Sequence, residues 1–526
     1  MPPSFDLAER GFCRVRWRPG RAPADPDALV GFRELLVRAP DIEDVEVPHP
    51  PALAGLLRVL YVLTARVTEL DKVSEANDWD EAREAALERG GFDTDAISEY
   101  FAEYAGRFEL FHTAAGERSP FCQDPRLLEQ CRTSKGEPTS SGVNKLMLGR
   151  AAGQGFVWQS HTVDADPRPV PVPDAVFAML AWLYFGVPGR CTPRRVGAQS
   201  AADTGAGPLR GTVSFHPFGE SLFETLLLGV PYAPGSGPAV WEDELRDPLG
   251  VPPGGEGIGA LLAGRFRHAL LLEPTESGQA VADARITWAW RVPHGPDQDP
   301  YLIYRPGKEP GAPPYPQAAQ SDRAVWRDLD CLLGEHDEAK QPAVFEGLGD
   351  LMDAQERTLR VKALGFDQDR SQAKDRQYFA GATSAKSELW QQVSPQHWGR
   401  MRRAREAAED RGRHLRGALS YAWRELAGAS KPSRARDGGV RWLHTGMARY
   451  WDAAEKVFWK AVEPEVPPPW SVVNRYIEVA VQAYDEVTRS AARTPRDVEV
   501  LERHRRRLWT GFEADAGDEE RGADHG

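Results

Sequence analysis

Cysteine is sparse and unpatterned in this 526-residue chain. Cys13, Cys122, Cys131, Cys191 and Cys331 are scattered and form no CxxC pair. That excludes a paired-cysteine zinc site and predicts reduced thiols in a cytoplasmic protein. The twelve histidines form no close pair at metal-ligand spacing, so neither a metal nor another cofactor is expected. Basic charge is also short. The formal net charge is −13, which argues against a simple nucleic-acid-coating protein, because attraction to phosphate needs a basic surface. No charged-then-apolar leader opens the sequence. The most apolar stretch, Leu53 to Val67, carries Arg58 and Arg66 and is too short to span a bilayer. A buried helix is expected there, and no membrane.

What is present is ordinary for a globular protein. Apolar residues make up 41% and charged residues 27%, and the 16 tryptophans point to aromatic packing rather than disorder. The length suits roughly two to four domains. A strand-like run lies around Cys13–Trp17. Pro50-Pro51 opens a helix over 52–67. Ile97, Tyr100, Phe101, Tyr104, Phe108 and Phe111 repeat at three and four, which predicts a helix over 96–112. Pro120 to Gly155 reads as irregular, Ala175–Phe185 as a second apolar helix, and Gly186–Gly211 as a turn-rich approach to a strand at Thr212–Phe215. A strand pair is expected between Ile286–Val292 and Tyr301–Tyr304, across the linker Pro293–Pro300.

From about residue 343 the pattern reads as helical. Ser394-Pro395 is an N-cap and N1 pair. Three apolar stripes follow, through Met401–Leu426, Met447–Ala461 and Val473–Val487, and Pro495 opens a fourth helical segment. Residues 390–511 therefore predict an up-and-down four-helix bundle with breaks at Gly428–Gly439 and Pro464–Pro469. Residues 512–526 are acidic and Gly-rich, which predicts a disordered tail.

No enzyme motif holds up. Gly255, Gly257 and Gly259 have dinucleotide-loop spacing but follow Pro252-Pro253 rather than a strand. Gly205-Ala-Gly207-Pro-Leu-Arg-Gly211 lacks the Lys-Ser/Thr ending of a phosphate loop. Gly219-Glu-Ser221 lacks the second glycine of a nucleophile elbow. His336-Asp337 would need further His and Asp ligands for phosphohydrolase chemistry, and Glu335 and Glu338 make it read as a solvated charge run. A non-catalytic chain is expected.

Local basic patches interrupt the acidic background. Arg190, Arg194, Arg195 and Arg210 face one acid, Asp203, in a glycine-bearing stretch whose backbone could approach phosphates closely. Arg132, Lys135, Lys145 and Arg150 oppose Glu137. Arg400, Arg402, Arg403, Arg405, Arg411, Arg413 and Arg416 crowd the first bundle helix. Each patch could equally be a solvated helix face. By composition the chain is an acidic scaffold with basic grooves.

Short collinear stretches add a family resemblance. Phe5-Asp-Leu7, Arg14-Val-Arg-Trp17, Arg107-Phe-Glu-Leu-Phe-His112 and Ser119-Pro-Phe-Cys-Gln123 are similar in order and spacing to the CasA family, the large subunit of the type I-E CRISPR surveillance complex Cascade. Asn144, Gly153-Gln154-Gly155, Leu209-Arg210-Gly211 and Ala448-Arg449-Tyr450-Trp451 continue the match, from about residue 4 to about 510. The resemblance implies an α+β fold, with a large mixed α/β N-terminal domain (1–385) before the helical bundle. It also implies a function: recognition of the protospacer-adjacent motif in double-stranded target DNA, promotion of duplex opening, and recruitment of a helicase-nuclease. The implied partners are the guide RNA and the backbone, guide 5′-end and small subunits.

Carried over residue by residue, the guide-contacting loop falls on Asn144–Gly155, with Asn144, Lys145, Met147 and Arg150. The glycine loop near the motif falls on Ser200–Gly211, with Gly205, Gly207, Arg210 and Gly211. The hairpin that wedges a Gln under the first base pair falls on Gly365–Gln372, where Gln368 and Gln372 compete around Arg370. Relatives also use a lysine near 273–285. None occurs there, so Arg285 is the basic candidate. The competing reading is a structural scaffold that binds protein partners without reading DNA. A nuclease or phosphohydrolase using His336 and Asp337 is a third.

Overall fold

The structure is a computed structural model and describes residues 3–112, 119–150, 152, 162–292, 298–307, 309–321, 323–332, 334, 339–348, 351, 360–368, 375–383, 395–427, 441–462 and 469–510. The sequence features at Gly153–Gly155, His336-Asp337, Arg370, Gln372, Ser394 and 512–526 lie outside these residues. The chain is α+β and divides into two compact units. One comprises Met1–Val325 with Cys331–Gln391, the other Trp326–Asp330 with Gln392–Gly526.

The first unit is organised around the helix Pro50–Thr68. Proline at its first positions and the His49 ring, which accepts from the Ala52 amide at 3.3 Å, fix its start. Nearly every residue is buried, so it reads apolar all round instead of on one face. By length and composition alone it could cross a membrane, but here it lies inside the fold. Arg58, buried at its centre, is held by Asp299 through Nε–Oδ2 and Nη2–Oδ1 contacts of 3.2 and 3.0 Å, and lies over the Tyr301 ring. The helix Val172–Phe185 packs against it. Gly55 permits the close approach, since a Cβ there would sit 2.9 Å from the Tyr184 ring.

Among the described residues this unit also holds two antiparallel three-stranded sheets and three two-stranded pairings. In one, Arg360–Gln368 is central between Val213–Phe218 and Asp375–Ala382. In the other, Ala280–Trp288 is central between Val170–Pro171 and His268–Pro274. Four expectations are corrected here. The helix over 96–112 stops at Glu103. Phe108 and Phe111 keep the helical spacing because they are buried with the other rings, Phe108 meeting Phe32, Phe101 and Phe121, not because the helix continues. The strand at 280–288 pairs with His268–Pro274 rather than with 301–304; Tyr304–Arg305 pairs instead with Tyr315–Pro316. Residues 186–211 contain a hairpin, Gly189–Val196 with Gln199–Thr204. The helical pattern from 343 is interrupted by the strands at 360–382, where Val361, Ala363 and Leu364 enter the core.

The second unit holds the helices Pro395–Leu426, Arg441–Val462, Pro469–Thr488 and Pro495–Thr510. The expected stripes are the buried ones: Met401, Ala408, Leu415 and Leu419 on the first helix, and Tyr450, Ala454, Phe458, Tyr476 and Tyr484 on the next two, are all removed from solvent. Two of the buried hydroxyls are satisfied across helices, Tyr450 donating to the Ala408 carbonyl at 2.6 Å and Tyr484 to that of Leu501 at 2.9 Å. The segment Trp326–Asp330, far upstream, belongs to this unit. Trp326 stacks on Phe458 (4.7 Å), Arg327 lies over Trp451 and pairs bidentately with Glu409, and Asp330 pairs with Arg405.

Candidate nucleic-acid interface

The expected interface residues that the structure describes lie on the first unit, and their supporting elements are linked. The short helix Val143–Leu146 holds Asn144 buried, its amide donating to Asp164 at 3.1 Å. Two turns of loop later Arg150 reaches the Asn144 side chain and, at 2.7 Å, the Arg168 carbonyl. Burial pushes the Lys145 ammonium below its ordinary pKa, and its Nζ reaches the Arg190 carbonyl at 3.4 Å. Met147 is half-buried beside it. Arg190 stands at the base of the 189–204 hairpin, where Gly189 pairs with Thr204.

This hairpin is what sequence reasoning missed. Its signal was present: Gly197-Ala198 forms a two-residue turn between Val196 and Gln199, with φ +57° at Gly197. Pro193 disguised it by sitting at the register irregularity between Arg190 and Arg194, where a proline costs no ladder bond. Arg190, Arg195, Gln199 and Ser200 are exposed along it. Arg194 is not. It is fully buried, donating to Asp124 (2.6 Å), Gln130 (2.8 Å) and the Trp288 carbonyl (2.9 Å), and it secures the hairpin to the sheet.

The glycine loop continues from Thr204. Gly205 and Pro208 are exposed, and Gly205 has room for a Cβ, the nearest atom being Arg267 Nη1 at 3.5 Å. Gly207 is buried and small for an internal reason: a Cβ would lie 2.6 Å from the Tyr184 carbonyl oxygen. Gly211 takes φ +69°, where glycine is favoured. Arg210 corrects the expectation of a DNA-facing cation. It is 2% exposed and turns inward to the Phe185 carbonyl at the end of the helix Val172–Phe185.

The loop then enters the strand Val213–Phe218, whose Val213 pairs with Gly365. The antiparallel register therefore brings Gly211-Thr212 and Gln368 to the same end of one sheet, the end at which the 360–382 hairpin turns over. Gln368 is the last residue of its strand, opposite Asp375, and 6% exposed. That corrects its candidacy as a projecting wedge; Arg370 and Gln372 lie outside the described residues. Arg285 is corrected too: it is buried in the strand Ala280–Trp288 and ion-paired with Glu273 on the neighbouring strand.

A family model described as CRISPR-associated protein Cse1 matches residues 7–466. The chain belongs to the Cse1 family. The CasA/Cse1 protein of Thermus thermophilus is 26% identical over 510 residues, covering 92% of this chain and 90% of that protein. A solved chain described as CRISPR RNA-guided surveillance complex is 40% identical, with a TM-score of 0.81 over 96% of this chain and all of the other. Thermobifida fusca Cse1, at 16% identity and a TM-score of 0.71 over 96% of this chain and 98% of its own, shows that the fold persists when most side chains change. In this Cse1-family chain no group of three or more His, Cys, Asp or Glu could hold a metal ion among the described residues, and all five cysteines are buried free thiols.

Proposed function

We propose that this Cse1-family chain is the large, non-catalytic subunit of an RNA-guided antiviral complex, which reads the protospacer-adjacent motif in duplex DNA, starts its opening and recruits a helicase-nuclease. The observation that carries the reading is the likeness at 40% identity and TM-score 0.81 to a chain of an RNA-guided surveillance complex, together covering 96% of this chain. Guide RNA and the other subunits are its partners on the same ground.

The site geometry supports a division of labour. Lys145, Met147 and Arg150 face the guide and backbone subunits. Gly205, with the exposed Arg190 and Arg195 of the adjoining hairpin, approaches the motif; a glycine lets backbone come close to a groove, and arginines contact phosphates. Gln372 and Arg370, which follow the strand Arg360–Gln368 in sequence and are assigned by the family resemblance, enter the first base step. Inserting a side chain there costs a few kcal/mol of unstacking, offset as guide pairing proceeds. Sequence itself is read by the guide, so a net charge of −13 is compatible with a chain that touches only a short duplex segment.

The test is target binding by the reconstituted complex with and without this chain. Motif-dependent duplex opening only when the chain is present supports the reading. Equal, motif-dependent opening without it makes the chain a scaffold.

A further inference from the structure

The helix Ala76–Arg89 carries a buried arginine beside an open pocket far from the elements above in sequence. Arg83 is 2% exposed and lies over the Trp79 ring, 4.4 Å from its centroid. Its Nη2 donates to Asp80 at 2.9 Å, but that carboxylate is 55% exposed, and the Arg83 Nε–H has no acceptor. A guanidinium taken out of water with one half-solvated partner is incompletely compensated. Burial accordingly pushes its pKa down to about 10, against the opposing pull of Asp80.

Arg83 lines a pocket of about 220 Å³ together with Trp79, Val230, Pro231, Tyr232 and Val344. Tyr232 is 41% exposed and meets Trp79 edge-on at 5.7 Å. The pocket is below the roughly 300–1,000 Å³ that encloses a whole small-molecule ligand, so it has room for one apolar side chain. Its rim is acidic: Asp80 and Glu346 line it and are exposed, and Asp78 and Glu81 are exposed on the same helix.

We propose that this pocket is a docking site for a protein partner, taking one apolar side chain from a lysine- and arginine-rich segment whose main-chain carbonyl accepts from Arg83. The aromatic walls and buried arginine are the composition of an interface hot spot. The acidic rim selects a basic segment and repels nucleic acid and free anions. This surface is independent of the DNA-facing role, and either can fail without the other.

The test uses the full chain with a photo-crosslinking benzoylphenylalanine in place of Ala343, an exposed residue at the pocket. Four probes are compared: the capped peptide Lys-Arg-Leu-Arg-Lys, the same peptide with Gly for Leu, the peptide Glu-Asp-Leu-Asp-Glu, and oligothymidine. Crosslinking to the basic leucine peptide alone is expected, with affinity falling roughly tenfold in Arg83→Met and in Glu346→Lys. Glu346 is exposed, so its variant keeps the test valid if Arg83→Met does not fold. The proposal is overturned by equal crosslinking of the Leu and Gly peptides, by preference for the acidic peptide or oligothymidine, by no crosslink, or by unchanged affinity in folded Glu346→Lys.

Discussion

Arg285 and Glu273 form an ion pair across adjacent antiparallel strands, one diagonal step from the Leu271–Arg285 register pair. Burial lowers the Arg285 pKa from its ordinary value, and only about a tenth of its side chain meets solvent. Its work is therefore in the sheet. Arg285→Ala should lower stability by about 1–3 kcal/mol, because it strands a partly exposed carboxylate. At equal folded fraction, target opening should be unchanged. Denaturant titration alongside duplex binding separates the two.

The glycine loop divides in the same way. Gly207→Ala puts a methyl 2.6 Å from the Tyr184 carbonyl oxygen, so a loss of about 1–3 kcal/mol is expected from overpacking. Gly205→Ala has space and should leave the melting temperature alone while weakening motif-dependent binding. A stable Gly207→Ala, or a Gly205→Ala that binds normally, would reverse these assignments.

Much of the fold was legible because hydrophobic period reports burial. The helix at 50–68 and the four bundle helices follow from proline starts and apolar stripes. What misled the reading was residues that keep a period for tertiary reasons, as Phe108 and Phe111 do, a hairpin disguised by Pro193 at 189–204, and a strand at 360–368 that pairs non-locally with 213–218. At the candidate interface, the family resemblance supplied the loops that the proposal uses. It could not separate outward from inward cations: Arg194, Arg210 and Arg285 look like phosphate contacts until burial shows each one satisfying protein groups.

Phe458 tests the second unit. It is 1% exposed, stacked on Trp326 and edge-on to Trp459, so Phe458→Ala should cost about 3–5 kcal/mol. Trp326→Ala should weaken the same cooperative transition despite its distance in sequence. A loss below about 1 kcal/mol for Phe458→Ala would mean that ring is exposed in solution.

Acid should destabilise the first unit through His268. Its ring is buried, its Nε2 paired with the Val187 carbonyl at 3.1 Å. Burial, with smaller contributions from Lys145, Arg210 and Arg267, takes its pKa from 6.5 down to about 4. Between those values the unfolded chain binds the extra proton, so the contribution is complete above 6.5 and shrinks as pH falls toward 4. His216 shifts the same way. The urea midpoint should fall between about pH 7 and pH 5, and fall less in His268→Gln, which has nothing to titrate. A flat profile in the parent protein contradicts this.

The most direct measurement is opening of a linear duplex and of a pre-opened bubble by the reconstituted complex carrying Gln372→Ala, Gln368→Ala or both. Gln372→Ala should impair the duplex far more than the bubble, where no step has to be unstacked. Gln368→Ala, which alters a buried strand end, should weaken the hairpin and affect both targets alike. Equal losses on duplex and bubble for Gln372→Ala, or none on either, would contradict the wedge and leave the chain without its proposed part in opening DNA.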